Sequence, residues 1–275
     1  MPPRRKQKPA YKTHRAAMER MVARHKTMIL HSVYDVQLPK IIALVRRHGK
    51  LEKAAAVKAG KTVAKTVLVP PATVAKMVAG LSVIGVATAP LWRNALSNAY
   101  EGATIEASVF VNDITGVQSS LDFQDLVDTY LREKGAQKID GILDEDQRWM
   151  SGLLRNDAQA GKSIDEIVSD ITDRFPDYSD GRAGTIARTE IHQASGYATN
   201  EMMKDAAPGM QKVWICTFEN SREAHMDADG QSVPVGEPFT VMDEEVDFPG
   251  DGSEANAINC NCEMEFTPAS SEETE

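Results

Sequence analysis

P-G-M-Q-K-V-W-I-C-T-F, Pro208–Phe218, is where this chain changes character. Pro208–Gly209 closes a long stretch whose apolar residues recur every three or four positions, the spacing of one helix face. Lys212–Phe218 is instead a β-branched and aromatic run of strand type. Upstream the pattern is helical; downstream, short strand candidates alternate with loops rich in Gly, Pro and Asp. The reading is an α+β fold: a mostly helical N-terminal two-thirds followed by a small antiparallel β module with long loops.

Working upstream, Ala187, Ile191, Ala194, Ala198 and Met202 share a helix face, and their small size predicts a close approach by another backbone. Asp180–Gly181 is expected to open this helix. Before it, Ile164, Ile167, Val168 and Ile171 form a core stripe ending ahead of Pro176, and Ser163 with Glu166 forms a capping box. Another helix is expected over about 144–160. Phe123, Leu126, Val127, Tyr130 and Leu131 stripe an earlier one, with Ser120 as its cap and Gly135 as its stop. Trp92, Ala95, Leu96, Ala99 and Ala103 mark one face of a helix after Pro90, and Pro39 is an expected break in a helix beginning near His14. Met77–Trp92 is apolar but, at 16 residues, short of the roughly 20 a spanning helix needs. A buried helix is favoured there over a membrane-active segment.

Downstream, Asp229–Gly230 is a turn dipeptide, and Pro238–Val241 and Cys262–Phe266 are strand candidates. The acidic loop Asp243–Asp247 lacks the alternation of a calcium loop and reads as a solvated charge run.

The net charge of −9 conceals a division. Residues 1–66 hold 17 Lys and Arg against three acids, whereas the remainder holds 14 against 37. A cationic arm on an acidic body predicts a polyanion partner for the arm, with Arg4, Arg5, Lys6, Lys8, Arg46 and Arg47 as candidate contacts to double-stranded DNA without sequence preference. Four divisions follow: a basic, partly disordered or helical arm, 1–66; a helical region, 67–140, holding the apolar segment 77–92; a module, 141–268, of helices over 144–207 and β structure over 211–268; and an acidic tail, 269–275. Three cysteines exclude a disulfide-rich secreted scaffold and fit synthesis in a reducing cytoplasm.

Cys260, Cys262 and His225 are the candidate metal ligands. A C-x-C on an extended strand puts both sulfurs on one face, and thiolates with imidazole suit zinc. Asp227, Asp229, Glu219 and Cys216 compete for a fourth position. The plainer alternative is two reduced cysteines packed beside an unrelated histidine. Arg188 and Glu190 fall about 200° apart around a helix, which predicts structural ion pairing or hydrogen bonding, with Arg222 as the expected partner of Glu190, and no catalysis. Trp214 is expected to anchor the core.

Ala187–Glu190 (A-R-T-E), Trp214, Glu219, Arg222, His225, Asp229–Gly230 and Asn259–Cys262 (N-C-N-C) occur in an order that resembles the phage Mu F-like family of minor head proteins. The resemblance covers roughly residues 90–268, is sharpest over 181–262, and makes 141–268 the head morphogenesis module. Ala95–Ala103 and Gly135–Ile142 also look like the family's helical part. Two departures occur: Glu219 stands where an aspartate is usual, and Asn261 replaces the arginine common between the cysteines. The resemblance implies a non-enzymatic virion protein inside the head, associated with the portal, acting with capsid or scaffold proteins in assembly and contacting packaged DNA. The alternatives are a metal-dependent nuclease or hydrolase built on His225 and the cysteines, and a DNA-ejection protein using 77–92 against a membrane.

Overall fold

The computed structural model describes residues 9–58, 69–218 and 220–269. Helix α1 (Pro9–Ile29) runs through a wide π turn, Leu30–Tyr34, into α2 (Asp35–Lys58). Then follow α3 (Pro71–Thr115), α4 (Phe123–Tyr130), a second π turn at Leu131–Gly135, α5 (Ala136–Gln159) and α6 (Ile164–Ala206). The C-terminal part holds β1 (Met210–Ile215), α7 (Glu223–Asp227), β2 (Ser232–Pro234), β3 (Phe239–Val241), β4 (Glu244–Val246), α8 (Glu254–Ala257) and β5 (Glu263–Pro268). This is the expected α+β order.

The helices are longer than their punctuation predicts. Pro39 lies inside α2, Pro90 inside α3 and Pro176 inside α6, where breaks were expected. A proline deprives the carbonyl four residues back of its donor. At all three sites both the proline and that earlier residue (Asp35, Val86 and Thr172) are exposed, so water can serve the freed carbonyl. Gly135 does not stop its helix either; the backbone passes through the π turn into α5. Asp122, not Ser120, caps α4, its carboxylate accepting from the Gln124 and Asp125 amides at 2.8 and 3.0 Å. Ser120 is drawn away by Asp205 of α6, which accepts its N–H at 2.6 Å. The Ser163–Glu166 box forms at the start of α6, with bonds of 2.7 and 3.3 Å.

The chain divides into two compact units. One comprises the described residues of Met1–Lys26, Leu96–Arg132 and Gly184–Glu275; the other those of Thr27–Ala95 and Glu133–Ala183. In the second unit Met77, Leu81, Thr88 and Trp92 of α3 are buried along one face, while Val83 and Val86 on the other are 69% and 74% exposed. The helices Pro9–Lys58 and Pro71–Thr115 are each long and apolar enough to cross a membrane by length and composition, a test that core helices of soluble proteins also pass. This unit also contains a half-buried polar knot. Tyr178 and Tyr34 donate to one oxygen of Asp146, at 2.6 and 3.2 Å, and Arg182 lies 3.7 Å from it. Burial pushes the Asp146 carboxyl up to about 6 against these three stabilising neighbours.

In the first unit β1 is the middle strand of an antiparallel sheet ordered β2-β1-β5, with Lys212 opposite Phe266 and Trp214 opposite Met264. Its neighbours on both edges leave Lys212, Val213 and Trp214 all buried. Strands β3 and β4 form a separate hairpin turned by Met242 and Asp243 at positive φ. Trp214, Phe239, Phe248 and Phe266 fill the core, and Trp214 meets the rings of Phe239 and His225 edge-on at 5.4 and 5.5 Å. Lys212 is buried whole: its ammonium donates to Asn200 at 3.0 Å and the Asp247 carbonyl at 2.7 Å, and lies over the Phe239 ring.

The N-terminal helix is no loose arm. Tyr11 is 7% exposed within this core, its hydroxyl accepts the Phe266 amide at 2.8 Å, and His14 stacks on Phe110. Five large apolar side chains of the described part of residues 1–66, Tyr11, Met21, Tyr34, Ile41 and Val45, are buried.

Candidate functional site

Three side chains widely separated in sequence converge in the first unit. His225 sits on α7, which is fixed from both ends. Gly230, at φ +83°, donates its N–H to the Trp214 carbonyl at 2.8 Å, and Asp229 accepts the Cys216 amide at 2.8 Å. At the other end Arg222 caps α7 and donates to the Ile258 carbonyl, tying the helix to the segment that carries the cysteines. Cys260 and Cys262 lie in the connector between α8 and β5, not on the strand as expected, because pairing with β1 begins only at Glu263. Their positions are set by Asn259, which has positive φ and donates its N–H to Thr189 of α6 at 3.2 Å.

The ligand atoms of His225, Cys260 and Cys262 lie within 4.8 Å of one another, and all three residues are buried. His225 Nδ1 is 3.7 Å from the Cys260 sulfur and 3.5 Å from that of Cys262. Its Nε2 meets Asn256 Oδ1 at 3.0 Å, while the Asn256 amide nitrogen donates to the Val241 carbonyl at 3.3 Å. A carbonyl oxygen only accepts, so Nε2 carries the proton and Nδ1 turns its lone pair to the sulfurs. The hydrogen bond from Cys262 pushes the Cys260 thiol well down, against burial and with help from His192 and His225; the same bond, with burial, pushes Cys262 up.

His192 and Asn256 escaped the reading of the sequence. His192 stands on α6 one turn after Arg188 and lies against the Cys260 sulfur and the Cys262 backbone. Burial alone would push its pKa down, yet these neighbours raise it overall. A cavity of about 610 Å³ is lined by Arg15, His14, Arg188, His192, Cys260 and Cys262. Burial and then the His192 charge push the His14 imidazole down to about 4.

The remaining candidates are placed as follows. Glu190 is buried and accepts from the Tyr100 hydroxyl at 2.6 Å; the expected partnership with Arg222 is replaced, since Arg222 is spent on Ile258. Arg188 is exposed and Trp214 buried. Asp227 is exposed, Asp229 is engaged by the Cys216 amide, and Cys216 lies against Cys262. Glu244 in the acidic loop accepts from both the amide and hydroxyl of Ser253, at 2.8 and 2.6 Å, bonds that hold its pKa down. Arg46 and Arg47 are exposed on α2. Arg4, Arg5, Lys6, Lys8 and Glu219 lie outside the described residues, as do residues 270–275 of the acidic tail.

Residues 151–265 match the family described as phage Mu protein F like protein. A curated relative, an uncharacterized protein, YqbB, of Bacillus subtilis (strain 168), is 32% identical over 117 residues. The matched stretch is 40% of this chain and 38% of that relative, so it spans well under half of either. No solved structure matches.

Proposed function

We infer, from a chain whose residues 151–265 are phage Mu F-like, that this is a minor protein of a phage head, acting in head morphogenesis through contacts with other head proteins. The family match is the observation that carries the reading. The finer parts are proposals of the same kind: residence inside the virion, association with the portal, and contact with packaged DNA through the basic residues of 1–66. Particles purified from the phage or prophage that encodes the chain should contain it, and deletion of its gene should leave defective heads rescued by the wild-type copy. Normal, infectious heads lacking the chain would remove the proposal.

We further propose that His225, Cys260 and Cys262 hold a structural zinc ion. The donor set fits: two thiols and an imidazole nitrogen face one another, and Asn256 holds the other ring nitrogen as outer partners of metal-bound histidines do. The thiolate-rich donor set favours a staple over a catalytic centre, which needs an open position. Bound zinc would neutralise the thiolates and tie α7 to the connector ahead of β5. Protein purified without chelator should carry close to one zinc per chain, and chelation should lower its melting temperature. Identical melting with and without chelator, in protein free of zinc, would leave the packed-cysteine alternative.

A further inference from the structure

We propose that His192 is the fourth ligand of this centre, making it a two-thiolate, two-imidazole site; this rests on the zinc reading above. A closed structural zinc site takes four donors, and the cluster supplies three. Two further side chains lie beside it: His192 against Cys260, with which it lines one cavity, and Cys216 against Cys262. Three observations favour His192.

The first is hydrogen bonding. His192 Nε2 is buried with no hydrogen-bond partner, a costly state for a ring nitrogen unless something else occupies it. The second is position. His192 lines one cavity together with both cysteines, and Cys216 does not line it. The third is charge. Zinc with two thiolates and two imidazoles is neutral, whereas a third thiolate leaves a net negative charge in a buried place. The Asp229 carboxylate, which grips the Cys216 amide, makes that corner less hospitable still to an anion.

The site then joins three parts of the fold: α6 through His192, α7 through His225, and the connector through both cysteines. The A-R-T-E helix and the C-x-C become one metal-linked unit. Thr189 already makes the neighbouring link by accepting the Asn259 amide.

Cobalt substitution of the full-length protein tests the assignment, because sulfur-to-cobalt charge transfer counts thiolates and the visible bands report the donor set. The wild-type protein should show a four-coordinate spectrum with two thiolates, unchanged in Cys216→Ser. His192→Asn should weaken zinc binding by more than the roughly 10–100-fold that follows removal of an outer partner and alter the visible bands. His192→Cys should restore tight binding and add a third thiolate to the charge-transfer band, which keeps the test meaningful should His192→Asn fold poorly. Loss of a thiolate band in Cys216→Ser, or wild-type affinity and spectrum in both His192 variants, would overturn His192 while leaving a metal centre in place. Failure of the wild-type protein to take up zinc or cobalt would overturn both readings together.

Discussion

Asp146 concentrates much of the electrostatic tension of its unit in one carboxyl. One oxygen takes two tyrosine hydroxyls and faces Arg182, while the other, Oδ2, is buried with no partner. Its folded-state pKa, about 6, lies above the ordinary carboxylate value. The folded form therefore binds the proton more tightly than the unfolded chain does. The stabilisation this gives is complete below about pH 4 and is lost as pH rises to about 6 and beyond. The loss should be on the order of 2–3 kcal/mol. His14 works in the opposite sense over the same window: its folded pKa is depressed to about 4, so its contribution to stability grows as pH rises. The total pH profile can therefore look flat. The difference between wild type and Asp146→Asn, which mimics the protonated acid, removes the His14 contribution. Asn should gain on the wild type between about pH 4 and 6 and hold a constant lead above about pH 7. Parallel unfolding profiles for the two proteins would mean that Asp146 is not displaced from an ordinary carboxylate.

Among the elements, α6 is the spine of the family-matched region, and its one apparent defect is Pro176. The helix accommodates it because Pro176 and Thr172 both face water. Pro176→Ala should supply the Thr172 carbonyl with its missing donor and stabilise the protein by up to about 3 kcal/mol, less the smaller gain that proline brings by restricting the unfolded chain. Thermal unfolding reads this directly, and a destabilised alanine variant would count against the hydrated-carbonyl explanation. The same helix separates what a sequence tells from what it withholds. Its Ser163–Glu166 start is legible because the two bonds close within four residues and need nothing from elsewhere. The prolines misled because whether a freed carbonyl meets water depends on the packed surroundings. Ser120 misled because Asp205, distant in sequence, competes for it. At the candidate site, Cys260, Cys262 and His225 announced themselves by chemical type, although the first two sit ahead of β5 and not on it. His192 carried no local signal: it is one more polar residue on a helix until the Asn259–Cys262 connector is laid across it. Glu190 was legible as a residue needing a partner, but the partner, Tyr100, belongs to a helix that no pattern joined to it.

At the scale of the whole molecule, charge is separated along the chain, and the proposed contact with packaged DNA depends on that separation. Residues 1–66 carry 17 cationic side chains against three acids, while residues 67–275 carry 14 against 37. Deleting the basic stretch would not isolate its role, because Tyr11 and His14 pack into the core around Phe110 and Phe266. Neutralisation tests the contact without that damage. Glutamine at Arg4, Arg5, Lys6, Lys8, Arg46 and Arg47 removes six charges and leaves the buried side chains of α1 and α2 in place. Each phosphate deprived of its cation should reduce the slope of log affinity against log salt by about 0.9, so the six together should flatten it by as much as about 5. Glutamine at six exposed cations of the remainder, Lys76, Arg93, Arg132, Lys134, Arg155 and Arg174, provides the control. Those residues lie in a sequence whose net charge repels a polyanion, and their replacement should leave the slope near its wild-type value. Affinity for duplexes of unrelated sequence should fall equally in the first variant, since binding to phosphate carries no base information. Equal flattening in the two variants would place the DNA-binding surface outside the first 66 residues. A wild-type protein with no salt-dependent affinity for duplex DNA would instead make the basic stretch a docking surface for an acidic protein of the head.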